Sequence, residues 1–155
     1  MNLVLHMVFS FLSSVAFGII TNNPKKSLVP CGVTGMLGWL IFLGVRLNGN
    51  GIGVGNFLAA FGIGCFSVLF SRIFKMPMII FNIPSLVPLV PGGPMYKSIR
   101  DFVSGANESG FDNLLIVIIT GGAIAGGFMM TTLVELLLKK WRNTYLNKKN
   151  NVSET

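Results

Sequence analysis

The sequence predicts an all-α, polytopic integral membrane protein, and three observations support this fold class. Of the 155 residues, 52% are hydrophobic and only 11% are charged, whereas a soluble domain usually carries about 25% charged residues. Five windows of 19 to 25 residues contain no Asp, Glu, Lys or Arg, and a membrane-crossing helix needs roughly 20 apolar residues. The basic residues gather at the window edges and in the C-terminal tail, which is typical of topology signals. The windows are Met1–Pro24, Ser27–Val45, Leu47–Ser71, Met76–Tyr96 and Asn113–Val134.

The first predicted span covers residues 2–21. Ser10, Ser14 and Gly18 recur at every fourth position, so they form one small, weakly polar stripe that lets a neighbouring helix approach closely. The single histidine, His6, lies near the start of this span. We interpret it as a packed or interfacial side chain, and a proton relay is the alternative interpretation.

The second predicted span covers residues 28–45 and is rich in glycine. Gly32, Gly35 and Gly38 recur at every third position. We interpret them as packing positions, because small residues let the backbones of two membrane helices come close together.

The third predicted span covers residues 53–71, and its small and polar residues also share one face. That face contains Asn56, Ala60, Gly64, Ser67 and Ser71. Asn56 is the most polar of them, and the sequence leaves two roles open for it. It could form a hydrogen bond between helices, which is common in membrane bundles, or it could contact a substrate.

The fourth predicted crossing, residues 77–104, is discontinuous, and the rest of the fold is expected to be arranged around it. Four prolines interrupt it, and each removes a backbone donor and clashes with the preceding helical turn. Irregular backbone in a bilayer is tolerated only where protein or a water-filled cavity surrounds it. We therefore expect residues 83–97 to lie inside the molecule, followed by a short amphipathic helix that ends at Gly105. The prolines are Pro84, Pro88, Pro91 and Pro94.

The last predicted span covers residues 113–138 and follows a polar loop over residues 106–112. Gly122-x-x-x-Gly126 is a helix-packing motif within it. Glu135 is the only carboxylate inside this span, and Lys139 lies four residues further along. The spacing predicts an ion pair between these two side chains, and a role for Glu135 in coupling is the alternative.

The basic residues also predict the orientation, because they favour the cytoplasmic side of a membrane. Nine of the twelve lie in the turn at 22–26, the turn at 72–75 and the tail. Placing these nine inside gives five crossings, an external N-terminus and a cytoplasmic C-terminus. The predicted organisation is a membrane domain over residues 1–138 and a basic cytoplasmic tail over residues 139–155. The nine residues are Lys25, Lys26, Arg72, Lys75, Lys139, Lys140, Arg142, Lys148 and Lys149.

The residues that could carry chemistry favour transport over catalysis. No cluster of His, Cys and carboxylates has metal-ligand spacing, and no Ser-His-Asp set is evident, so we expect no metal, no cofactor and no enzymatic activity. The net charge of +7 is explained by the topology signals, so no nucleic-acid partner is expected. In transporters, a broken helix can direct its exposed amides at an anionic substrate. The substrate-binding candidates are Ser85, Pro91, Gly92, Gly93, Tyr96 and Lys97, together with Asn56.

Two sequence motifs resemble a known family. The first runs from Asn23 to Leu28 and continues into Cys31-Gly32-Val33-Thr34-Gly35. The second is Ile83-Pro-Ser-Leu-Val-Pro-Leu-Val-Pro-Gly92, with Tyr96 four residues later. Together they resemble the threonine/serine exporter family, and specifically its small, YjjB-like subunit, over Met1 to Leu138.

This resemblance implies a multi-pass protein of the bacterial cytoplasmic membrane that works with a larger, YjjP-like membrane subunit. It implies export of threonine and serine, or of a dicarboxylate such as succinate, driven by the proton gradient. Because so short a chain supplies few helices for a transport path, we also expect an oligomer, in contact with membrane lipid. The alternative function is a non-transporting membrane scaffold or assembly subunit, in which the glycines serve helix packing alone.

Overall fold

The computed structural model describes the backbone of residues 3–153 and the side chains of residues 3–137, 139 and 140. Within this part, six α-helices and one short 3-10 turn account for the secondary structure. The all-α, polytopic membrane fold is confirmed, because α1, α2, α3 and the Asn107–Leu137 part of α6 are long and apolar enough to cross a membrane. The elements are α1 (Leu3–Ile20), α2 (Lys25–Leu47), α3 (Ile52–Phe74), α4 (Ile79–Leu86), the 3-10 turn (Val87–Leu89), α5 (Gly92–Val103) and α6 (Asn107–Ser153).

The long helices form a bundle in chain order, and the short α4 packs into its side. α2 lies between α1 and α3, and α3 packs against α6. α4 and the 3-10 turn contact α1, α2 and α3. Among the described elements, α5 packs against α6 alone. One side of α4 and of the 3-10 turn is therefore buried, whereas Ile79 and Ile83 are exposed and α5 lies at the edge of the bundle. The prediction that residues 83–97 lie inside the molecule thus holds only for part of this segment.

The small residues of α1 and α2 form the contact between these helices and α4. Ser10, Ser14 and Gly18 are the buried residues of α1, which confirms the predicted stripe. Gly35 of α2 lies against them: a methyl group added there would collide with Ser14 Oγ and would lie 3.2 Å from the carbonyl oxygen of Ser85. Gly35 is thus the point at which three helices approach most closely.

We expect Gly35→Ala to destabilise the protein by roughly 1–3 kcal/mol, since an extra carbon in a filled contact displaces its neighbours. Thermal unfolding of the purified protein in detergent measures this effect. Gly44→Ala is the matched control in the same helix, because a methyl group there meets no atom within 4 Å. Equal thermal stability of the two variants would contradict this packing.

The predicted small face of α3 is confirmed, and it packs against α6. Asn56, Ala60, Gly64 and Ser67 are buried, and Ser71, the last residue of the predicted face, is half-buried. A methyl group on Gly64 would collide with Thr131 of α6.

On α6, the close approach occurs at a different glycine from the predicted one. A methyl group on Gly127 would lie 2.6 Å from the carbonyl oxygen of Phe57, whereas one on Gly122 would meet nothing within 4 Å. Gly122 is exposed. The Gly122-x-x-x-Gly126 motif therefore does not pack through Gly122 within the described chain.

The predicted polar loop over residues 106–112 is wrong, because α6 already begins at Asn107. Gly105, at a φ of +81°, reverses the chain directly after α5. The two helices then lie side by side: Ser98 Oγ donates to the Gly110 carbonyl (2.9 Å), and Asn113 Nδ2 donates to Asp101 Oδ2 (3.3 Å). These contacts between helices satisfy polar groups that the sequence alone assigned to a loop.

The predicted discontinuity is present between α4 and α5, but its irregular part is shorter than the predicted 83–97. α4 continues through Pro84, the 3-10 turn contains Pro88, and the chain leaves helical geometry at Val90 (φ −63°, ψ 128°) and Pro91. We call this two-residue interruption the break.

Neighbouring helices explain why α4 tolerates a proline. Pro84 has no N–H to donate to the carbonyl of Ile80, four residues earlier. That carbonyl instead accepts from Asn23 Nδ2 (3.0 Å) and from the Cys31 thiol (3.4 Å). Ser85 Oγ donates to the Cys31 carbonyl (3.0 Å), so α4 is fixed to α2. The bundle thus satisfies a backbone group that a lipid environment would leave unpaired.

Contacts at the two ends of the segment give its direction. Ile80 lies beside Asn23, in the turn between α1 and α2. Val90 and Pro91 lie beside Arg46 and Ile52, at the opposite end of α2. Residues 79–91 therefore run parallel to α2, from one end of the bundle towards the other.

Candidate functional site

A cavity of about 240 Å³ lies at the break, and we call it the break cavity. Pockets for drug-sized ligands measure roughly 300–1,000 Å³, and at about 30 Å³ per water this one holds about eight waters. A space of this size suits a small metabolite. The lining residues come from five elements: Trp39, Phe42 and Arg46 (α2), Ile52 and Asn56 (α3), Pro88 to Pro91 (the 3-10 turn and the break), Pro94 (α5), and Ile116 and Thr120 (α6).

One wall of the break cavity is aromatic and fixed in place. Trp39 Nε1 donates to His6 Nδ1 (3.3 Å), and the Trp39 ring packs against Phe42 with centroids 5.2 Å apart. On the far side of Trp39 and Pro88 lies an apolar groove of about 350 Å³ that His6 also lines. His6 is thus a packed side chain that orients Trp39, in agreement with the first of its two predicted roles.

Three polar side chains line the break cavity. Asn56 and Thr120 are each 3% exposed, whereas Arg46 is exposed in the last turn of α2. Asn56 Nδ2 donates to the Ile52 carbonyl (2.9 Å) of its own helix, so this bond does not join two helices as one prediction had it. No carboxylate is among the described side chains that line the cavity. The polar part of the cavity is therefore cationic at Arg46 and neutral at Asn56 and Thr120.

Of the substrate-binding candidates, the structure brings Asn56 and Pro91 together in the break cavity. Ser85 lies elsewhere, fully buried between α4 and α2, with its hydroxyl engaged by Cys31. Tyr96 and Lys97 are exposed on α5 and do not line the cavity.

The start of α5 offers fewer free amides than the sequence suggested. Gly92 and Gly93 are exposed. The Gly92 N–H donates to the Val90 carbonyl (2.8 Å), and Pro94 has no N–H. Among these three residues, only Gly93 could present its amide to an anion.

Glu135, the coupling candidate, is distant in sequence and structure from the break. Its carboxylate forms the predicted i, i+4 ion pair with Lys139 (2.9 Å). It also lines a separate cavity of about 130 Å³ with Cys65 and Thr131. Glu135 is thus not among the residues of the break cavity.

Comparison with known proteins identifies the family. The model of the threonine/serine exporter family, ThrE, matches residues 6–134. The chain belongs to the threonine/serine exporter family. It is also 26% identical over 120 residues to a "Probable threonine/serine exporter" of Mycobacterium tuberculosis, a match that covers 77% of this chain and 23% of the relative. The chain therefore spans about a quarter of that relative's length. No solved structure matches the chain.

Membership of the threonine/serine exporter family confirms the resemblance and points to transport rather than catalysis. Every residue that lines the break cavity lies within the matched residues 6–134.

Sequence reasoning did not select Arg46 or Thr120 as site residues. Arg46 is one of the three basic residues outside the nine that set the predicted orientation, and Thr120 shares a helix face with Gly127. Two signals were available in the sequence. Arg46 is a basic residue at the end of a span that has no role in the predicted orientation, and Thr120 carries a hydroxyl on the packed face of the last span. Only the fold shows that both lie beside the break.

Proposed function

We propose that this chain is a membrane subunit of a secondary transporter that exports threonine and serine, or a dicarboxylate such as succinate. Family membership supports a membrane exporter. The observation that carries the finer proposal is the break cavity, since transporters bind small substrates where a crossing is discontinuous. Its volume suits such a metabolite, and Arg46 supplies a positive charge for a carboxylate.

We propose five crossings in the cytoplasmic membrane of a bacterium, with the N-terminus outside and the C-terminus inside. The excess of basic residues in the turns at 22–26 and 72–75 supports this orientation. In it, Arg46 and the break lie towards the external side of the membrane. The break cavity is then the site from which substrate leaves the cell.

We further propose that a larger, YjjP-like membrane subunit completes the transport path. Most of the length of the curated relative lies outside the match, so the relative contains additional structure beyond what this chain supplies. The exposed faces of α1 and α6 are rich in apolar side chains, which suits contact with lipid, a partner or further copies of this chain. Substrate passes between the subunits beside the break.

Efflux from cells tests the proposed function. Cells loaded with labelled threonine, serine or succinate should release at least one of them faster when both subunits are present than when either is missing. Efflux that is the same for all three compounds with and without the subunits would remove the proposal for these substrates.

Asn56→Leu distinguishes transport from a scaffold role. The two side chains have similar size, so we expect normal assembly with the larger subunit, and a loss of efflux because the cavity loses a buried polar group. Asn48→Leu is the matched control: its amide likewise donates to the carbonyl four residues earlier (3.0 Å), but Asn48 does not line the cavity. Copurification measures assembly. Normal efflux by assembled Asn56→Leu would favour the scaffold.

A further inference from the structure

Thr120 differs from the other threonines whose side chains the structure describes. Thr21, Thr34, Thr131 and Thr132 each donate their hydroxyl to the carbonyl four residues earlier, at 2.8 to 3.2 Å. Among the described residues, the Thr120 hydroxyl has no hydrogen-bond partner, although only 3% of Thr120 is exposed. The Thr120 oxygen is not among the fully buried unpaired oxygen atoms of the described residues, which are Ser67 Oγ and Asn82 Oδ1, so it remains accessible from the space beside it.

The space beside the Thr120 hydroxyl is the break cavity. Its side chain lines the break cavity, where its remaining exposed surface faces the empty volume. A hydroxyl both donates and accepts hydrogen bonds. Thr120 is therefore available to a polar group of a molecule that occupies the cavity.

Arg46 is the complementary group in the same cavity. The ion pairs in the described part of the chain are Arg100 with Asp101 and Lys139 with Glu135, and Arg46 takes part in neither. A guanidinium group binds a carboxylate through two parallel hydrogen bonds and stays charged at all relevant pH values. An arginine without an acidic partner beside a small cavity is suited to an anionic ligand.

We propose that the break cavity binds a small hydroxy-substituted carboxylate, with its carboxylate on Arg46 and its hydroxyl on Thr120. This assignment rests on the proposed function and deepens it, because it names the residues that select the substrate. Asn56 lines the same cavity and supplies a further polar contact. The aromatic and proline walls then contact the carbon atoms of the ligand. Sites that hydrogen-bond a ligand hydroxyl discriminate against analogues that lack it.

The test uses the full chain together with the larger subunit in membrane vesicles, with initial rates of threonine transport measured over a range of concentrations. Thr120→Val should raise KM for threonine by about two- to tenfold, the effect of one hydrogen bond. Valine, which replaces the threonine hydroxyl by a methyl group, should compete poorly with threonine in the parent protein and as well as threonine in Thr120→Val. Thr132→Val is the control, because Thr132 is exposed and bonds to its own helix.

Arg46→Gln should raise KM for threonine by about 10- to 100-fold, since hydrogen bonds to charged groups are stronger. The parent protein should reject threonine amide, which has no carboxylate, and Arg46→Gln should lose this preference. Arg46→Lys should recover part of the affinity. Arg72→Gln is the control: it removes a basic residue from the last turn of α3, and Arg72 does not line the cavity.

The outcomes separate this inference from the proposed function. Absence of saturable transport by the parent protein would remove the proposed function itself. Transport by the parent protein with no discrimination against valine and threonine amide would overturn the substrate assignment and leave the exporter role in place. If the parent protein discriminates against both analogues but Thr120→Val and Arg46→Gln still do so, the assignment of these two residues is likewise overturned and the exporter role remains. Because the analogue comparison is also made on the parent protein, a lack of discrimination there overturns the substrate assignment even if a variant fails to assemble.

Discussion

Replacing Pro88 and Pro91 together by alanine is expected to abolish export while the protein remains folded. Both residues line the break cavity. Alanine restores two backbone donors and favours a helix by about 3 kcal/mol per position relative to proline. A helix that continues through Val90 would close the break and move α5 away from the cavity. Efflux of labelled threonine measures the effect.

Pro77→Ala is the control for the double substitution, because Pro77 is exposed and precedes α4. It should leave efflux unchanged. Thermal unfolding of the double variant should show stability at least equal to that of the parent, which separates a closed break from a misfolded protein. Normal efflux by a stable double variant would show that the break is not needed for transport.

A larger side chain inside the break cavity should block transport as effectively. Ile116→Trp places an indole in a volume of about 240 Å³ that we assign to substrate. The indole occupies volume that substrate would need, so we expect substrate affinity to fall by about 5- to 150-fold, which corresponds to roughly 1–3 kcal/mol of binding free energy. Concentration-dependent transport in membrane vesicles measures this loss as an increased KM or as the absence of saturable flux.

Ile118→Trp makes the same change two residues away, on the outer surface of α6. Ile118 is 60% exposed and does not line the cavity. This variant should transport normally if lipid covers that surface. Equal inhibition by both substitutions would mean that α6 is sensitive to bulk in general, and the cavity would lose its special role.

The bundle was predictable from the sequence because small residues recur with helical spacing. The Ser10, Ser14 and Gly18 stripe and the Asn56, Ala60 and Gly64 face are both buried as expected. This pattern is local, since residues four positions apart share a helix face whatever surrounds the helix. Packing positions of this kind need no knowledge of the partner helix.

The extent of the break was not predictable, because distant residues decide it. Each proline removes a local hydrogen bond, and the local pattern therefore predicted irregular backbone over 83–97. The Ile80 carbonyl is satisfied by Asn23 and Cys31, about fifty residues or more earlier in the chain, so α4 remains helical. The early start of α6 has the same kind of cause, a contact between Ser98 and Gly110 across the turn.

The site was only partly predictable, because residues near the break in sequence need not be near it in space. Tyr96 and Lys97 follow the break directly but lie exposed on α5. Arg46 lies more than twenty residues before the break in the chain, and Thr120 lies more than twenty residues after it. The packing of α2 and α6 places both side chains at the break cavity. Of the predicted residues, Asn56 lines the cavity from a separate helix. It was predictable because its spacing places it on the small, polar face of α3.

The central claim is that residues 79–91 cross the membrane once, packed against other helices. Labelling of single cysteines from the two sides of the membrane tests this claim most directly. Lys75→Cys and Gly93→Cys, both at exposed positions, are each made in a variant that lacks Cys31 and Cys65 and retains efflux. A membrane-impermeant thiol reagent applied to intact cells should label Gly93→Cys and should reach Lys75→Cys only after the cells are permeabilised. Labelling of both positions from the same side would mean that the segment returns to the face it came from, and would contradict the account.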